Sequence, residues 1–147
     1  MADLSMTWTV HAGFATVRVG DSDGSAEALA SYVSPAPEDF LGAVARLLRG
    51  SATAEVRFEA KPAVYRWHFT RDGSHVRVRL AEFPDGRRPG TEVWSTRQPL
   101  DVVARVVVRR FDAAARRGED TYEREWRRPF PRFELEGLRA AWREVTR

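Results

Sequence analysis

His68, His75 and Glu55 lie on neighbouring segments in which apolar and polar residues alternate. Two imidazoles and a carboxylate would form a ligand set for zinc or iron if a sheet gathered them on one face. The same alternation adds Arg57, Arg66, Arg77 and Arg79 to that face. Their guanidiniums oppose a divalent ion and suit carboxylates or phosphates instead. The arginine reading therefore outweighs the metal reading, and no metal or other cofactor is expected. The stretch Asp21-x-Asp23-Gly24 starts like a calcium loop, but the later ligands of an EF-hand are not at their spacing. The chain has no Gly-x-Ser-x-Gly elbow, no P-loop, no Gly-x-Gly-x-x-Gly and no His-Glu-x-x-His. It also has no cysteine, which removes disulfides, thiolate nucleophiles and thiolate metal sites. The expectation is a protein that performs no catalysis.

The elements that must position these residues form a meander: strands over 53–60, 63–70 and 75–83, and a fourth over 92–97. An Asp72-Gly73 type I′ turn would set Phe69 opposite Val76, Trp67 opposite Val78, Tyr65 opposite Leu80 and Arg77 opposite His68. A corner at Lys61-Pro62 would set Phe58 opposite Tyr65, Val56 opposite Trp67 and Glu55 opposite His68. One face then holds the aromatic residues. The other holds Glu55, Arg57, Arg66, His68, His75, Arg77 and Arg79, as a half-buried antiparallel sheet requires.

Before the meander, residues 7–10 and 14–19 alternate as a hairpin around Ala12-Gly13, GDSDGS over 20–25 reads as a loop, and 27–33 reads as a third strand or a short helix, with Tyr32-Val33 favouring the strand. Pro35 and Pro37 open a helix with Glu38 and Asp39 in its first turn, an apolar stripe of Phe40, Leu41, Val44, Leu47 and Leu48, and Gly50 as its stop. After the turn-rich segment FPDGRRPG, a helix from Pro99 to Gly118 buries Leu100, Val103, Ala104, Val107, Phe111 and Ala114. Its β-branched run VVARVVV recurs at three and four residues, so period decides for helix. Short helices over 119–127 and 133–145 follow, the last expected to bury Leu135, Leu138, Trp142 and Val145. The order β-β-β-α-β-β-β-β-α plus short C-terminal helices predicts an α+β fold, an antiparallel sheet with helices packed on one face.

A chain of 147 residues, 43% apolar, fits one domain spanning 1–147. Its N-terminus lacks a signal-peptide pattern and no apolar run reaches membrane-span length, so a cytoplasmic location is expected and a membrane partner is not. Residues 1–50 hold six acids against three bases, whereas the rest of the chain carries a surplus of bases. A second arginine-rich stretch, YEREWRRPFPRF over 122–133, interleaves Arg124, Arg127 and Arg128 with Trp126 and other aromatic residues, a composition that suits a protein interface. Nucleic acid ranks lower as a partner of the sheet, because the rings on which bases would stack belong to the apolar face.

The cysteine-free α+β layout, the hairpin WHFTRDGSHVRVRL and the proline-broken tail YEREWRRPFP together resemble the small cytoplasmic immunity proteins of bacterial polymorphic-toxin systems. The likeness is one of layout and transfers no functional residue. It implies a stoichiometric inhibitor of a toxin domain. Immunity proteins against nucleases are commonly acidic, and a net charge of +3 sets this chain apart from them. The sequence thus predicts a non-enzymatic protein-binding domain. An alternative is a ligand-binding or enzymatic domain with a pocket between sheet and helices, lined by Tyr65, Trp67 and Trp94. Partner identity and oligomeric state are not legible at this level.

Overall fold

The computed structural model describes residues 3–85 and 89–146. Its elements are β1 (Ser5–His11), β2 (Phe14–Asp21), β3 (Gly24–Ser31), α1 (Ala36–Leu48), β4 (Thr53–Glu59), β5 (Val64–Asp72), β6 (His75–Phe83), β7 (Thr91–Pro99), α2 (Leu100–Arg117), α3 (Glu119–Trp126) and α4 (Arg132–Val145). The fold is α+β, in the order the sequence predicts. Residues 86–88, the middle of FPDGRRPG, lie outside the described residues. No described helix is long and apolar enough to cross a membrane.

The strands divide into two antiparallel sheets, β1-β2-β3 and β4-β5-β6-β7, where a single sheet was expected. β3 touches β4, β5 and β7, so it lies across the second sheet and not beside one of its strands. Its inner-facing residues Ala26, Ala28 and Ala30 are small enough to permit that approach.

Turn chemistry sets the registers. At Ala12-Gly13 both φ values are positive, 52° and 81°, as a type I′ hairpin requires. GDSDGS is tighter than the expected loop, because Asp21 pairs with Gly24 around Ser22-Asp23. The Asp21 carboxylate accepts the N–H groups of Asp23 and Gly24, an Asx-type turn. The β5–β6 turn differs from expectation. Asp72 pairs with His75, leaving Gly73-Ser74 at the centre, and only Gly73 has positive φ. That is the type II′ pattern, with glycine first. The register consequently moves by two residues, to Phe69 opposite Val78, Trp67 opposite Leu80 and Tyr65 opposite Glu82. Side chains alternate with period two, so a two-residue shift leaves every one on its expected face. The β4–β5 register is as expected, with Val56 opposite Trp67 and Phe58 opposite Tyr65, joined through a connection containing a cis Lys61-Pro62 peptide.

The inner faces of both sheets and the apolar sides of the helices meet in one core. Phe40 of α1 stands at its centre, with ring centroids 5.7 Å from Trp8, 5.1 Å from Trp67 and 5.7 Å from Phe69. Trp8 also meets Phe58 at 5.8 Å and Phe111 at 5.0 Å, so each sheet and helices α1 and α2 share this cluster. On α4, Leu135, Leu138 and Ala141 are buried. Trp142 is only half-buried, with its indole N–H donated to Asp101 at 2.7 Å, and Val145 is exposed. The amphipathic stripe ends one turn early because the helix runs past the edge of what it covers.

Candidate functional site

The outer face of the second sheet is a grid whose rows follow from the registers. Thr53, Thr70, Arg77 and Arg97 form one row, and Glu55, His68, Arg79 and Ser95 form the next. Arg57, Arg66, Ala81 and Glu92 form the third. Arg57, Arg66, Arg77, Arg79 and Arg97 are all exposed, while His68 and His75 are half-buried. Arg57 stands directly opposite Arg66, and Arg77 directly opposite Arg97. Like charges in directly opposed pairs oppose strand pairing.

Neighbouring groups relieve part of this repulsion. Arg57 Nε donates to Glu59 at 2.8 Å, and the Arg66 guanidinium lies 5.0 Å from the centre of the Phe83 ring. Arg97 and Asp72 approach to 3.8 Å, and Arg79 and Glu92 to 3.9 Å, distances at which exposed pairs contribute little. Arg77 has no ion pair among the described residues. Arg97 was not singled out in the sequence. Finding it requires the β6–β7 register, which a bulge at Leu80/Ala81 disturbs.

The metal reading loses its geometry here. Glu55 does lie opposite His68, but the residue facing His68 on β6 is Arg79, not Arg77 as expected. His75 sits four residues from Arg79, roughly 13 Å along the strand, with its Nδ1 3.3 Å from Ser74 Oγ. No group of three acidic or histidine side chains suited to a metal is found among the described residues.

The C-terminal stretch separates into a buried part and an exposed part. Trp126 is fully buried, so this predicted contact residue belongs to the core. With Tyr122 one helical turn before it, it forms the inward stripe of α3, and a stripe at that spacing is what a core helix presents. Arg124 and Arg127 are exposed, and Arg128 is partly buried. Arg127 caps α3 in the left-handed region at φ 74°, and its guanidinium lies 5.5 Å from the centre of the Tyr32 ring. Arg128 donates to the Tyr32 carbonyl at 3.0 Å. The exposed apolar residues at this corner are Phe14, Tyr32 and Val33, which the sequence reading assigned to strands. Only the fold brings them to α3, through the β1–β2 turn. Gly13 N–H donates to the Glu125 carbonyl at 2.7 Å, and the Glu125 carboxylate accepts from Ala12 N–H at 3.1 Å and sits 2.9 Å from His11 Nδ1. The Ala12 hydrogen bond, followed by His11, holds that carboxyl below its ordinary range. A side chain at Gly13 would come within 2.9 Å of the Tyr32 ring, so this junction needs glycine for space as well as for φ.

The predicted pocket around Tyr65, Trp67 and Trp94 is filled. Trp67 is fully buried, and Tyr65 and Trp94 are buried in the same core. Tyr65 donates its hydroxyl to Glu82 at 3.0 Å, and burial, reinforced by that carboxylate, pushes the phenol up to about 12.

No family of proteins, no curated protein and no solved structure matches this chain.

Proposed function

We propose that the protein is a non-enzymatic binding domain that docks an acidic surface of a protein partner on the outer face of its second sheet. The observation that carries this reading is the pair of directly opposed arginines, Arg57 with Arg66 and Arg77 with Arg97. Strand pairing alone gains from an acid or a threonine at one of each two positions. Carboxylates brought by a partner relieve both repulsions at once, and the planar arginine fork suits them. Phosphates would do the same, but a single-stranded nucleic acid also needs rings on which to stack. The three rows contain no Phe, Tyr or Trp and only the half-buried imidazole of His68, and the nearby Phe83 is half-buried beneath Arg66. Together with its layout, this favours a bacterial immunity protein that inhibits a toxin domain stoichiometrically in the cytoplasm.

Co-expression with the product of the adjacent gene, followed by size-exclusion chromatography, tests the proposal. A complex is expected at low salt, weakening as salt is raised, and lost in a variant carrying Arg66→Glu and Arg77→Glu. Separate elution of the two proteins, or a complex that survives both substitutions undiminished, would overturn it.

A further inference from the structure

A groove of about 380 Å³ runs between the free edge of β1 and the second half of α2, closed at one end by α3. The first half of α2 carries Leu100, Val103, Val107 and Phe111 against the core. From Arg110 onward its groove-facing stripe is small and cationic: Arg110, Ala113, Ala114 and Arg117, at the three- and four-residue spacing of one helix face. The two alanines leave the space open. Seven residues separate the arginines, roughly 10 Å along the axis. Neither has a hydrogen-bond or ion-pair partner among the described residues.

The floor and walls are aromatic and wet in turn. Trp8 and Tyr122 line the groove together with Thr7, Thr9 and Thr121. Tyr122 is 5% exposed, and its buried hydroxyl has no hydrogen-bond partner among the described residues. The one carboxylate of the lining, Glu125, is engaged by Ala12 N–H and His11. Both contacts lie outside the groove's arginines, so the lining holds two guanidiniums against one carboxylate and its net charge is positive.

We infer that this groove is a binding site for a small amphipathic carboxylate, with its ring or short chain over Trp8 and Tyr122 and its carboxylate on Arg110 or Arg117. The volume lies at the low end of the roughly 300–1,000 Å³ typical of small-molecule sites, which favours a ligand of one or two rings. A bidentate guanidinium–carboxylate contact supplies orientation, and the apolar floor supplies burial. The site is separate from the arginine face of the second sheet and stands whether or not that face docks a protein.

The test uses 2-naphthoate as probe and 2-naphthylmethanol as its uncharged counterpart. Binding is followed by calorimetry and by the indole N–H resonance of Trp8, assigned through Trp8→Phe. The expected result is saturable 2-naphthoate binding that shifts the Trp8 resonance and is at least tenfold tighter than that of the alcohol. It should weaken at least tenfold in an Arg110→Gln, Arg117→Gln variant whose circular dichroism is unchanged. Both positions are exposed on α2, so this variant keeps its core. No 2-naphthoate binding to the unaltered protein, equal affinity for the alcohol, or binding unchanged in the double variant would each overturn the inference.

Discussion

The Arg139 guanidinium ties α4 to α2, beside the Trp142–Asp101 hydrogen bond. It donates to both oxygens of Asp112, at 2.6 and 3.0 Å, and to Glu136 one turn earlier on its own helix. The Asp112–Arg139 pair is about three-quarters shielded from solvent, so its hydrogen bonds are stronger than those of a surface pair. The Arg139 hydrogen bonds are the main reason that the Asp112 carboxyl sits below its ordinary range. A carboxylate whose folded value is depressed stabilises the protein above the unfolded value, near 3.9, and loses that contribution as pH falls through the folded value. Glu136 and Asp21 are shifted in the same direction, by Arg139 and by the Thr96 hydroxyl. These three contributions are therefore expected to be lost as pH falls below about 4, while Glu38 and Asp39, whose carboxyls burial raises, act in the opposite direction. Asp112→Asn should lower stability at pH 7 by about 1–3 kcal/mol and make the acid decline shallower. Urea unfolding at several pH values measures both. A variant whose acid decline matches the parent's would show that this pair is not its source.

At the scale of elements, the β5–β6 ribbon separates what stabilises from what binds. Arg77 opposes Arg97 and has no ion pair among the described residues, whereas Arg97 lies 3.8 Å from Asp72, and Asp3, Asp21 and Asp23 line the same cleft. Replacing Arg77 with Glu converts a repulsive cross-strand pair into an attractive one. It should raise stability by about 0.2–1 kcal/mol, read as a higher urea midpoint at unchanged slope. The same substitution removes one of the cations assigned to the partner. A stability gain with a binding loss is the mark of a residue kept for function, whereas losses in both would assign Arg77 to the fold.

This ribbon also shows how much was legible in advance. The faces of Arg66, His68, Arg77 and Arg79 follow from alternation alone, since an even register shift cannot exchange them. The opposing residues do not follow, because Asp-Gly and Gly-Ser are both sound turn centres and differ by an energy that local sequence does not show. Trp126 marks the other limit. Interleaved arginines and aromatics have the composition of an interface, yet the four-residue spacing of Tyr122 and Trp126 is also that of a core stripe. Burial decided for the core. Tyr32 and Phe14 were missed for the complementary reason: their exposure depends on where β3 ends and on a contact with α3 across more than ninety residues of chain.

The whole molecule is held by one cluster that spans its layers. Phe40 touches Trp8 in the first sheet and Trp67 and Phe69 in the second, so neither sheet can loosen without disturbing the other. Phe40→Ala should cost about 3–5 kcal/mol, as truncation of a buried aromatic residue usually does. Tryptophan fluorescence and far-ultraviolet circular dichroism should then report a single shared transition at a lower denaturant concentration. Separate transitions for the two probes would mean that the sheets fold as independent units.

Sequence by itself determined the order of elements, the inward and outward faces of β4, β5 and β6 and the apolar stripes of α1 and α2, because these depend on local period and turn chemistry. It also determined the absence of thiol chemistry. Tertiary structure alone decided that the strands split into two crossed sheets, that Arg77 faces Arg97, and that a groove opens where α2 turns from valine to alanine beside β1. Each of these is a meeting of segments far apart in the chain, governed by side-chain volume and burial that no local pattern encodes.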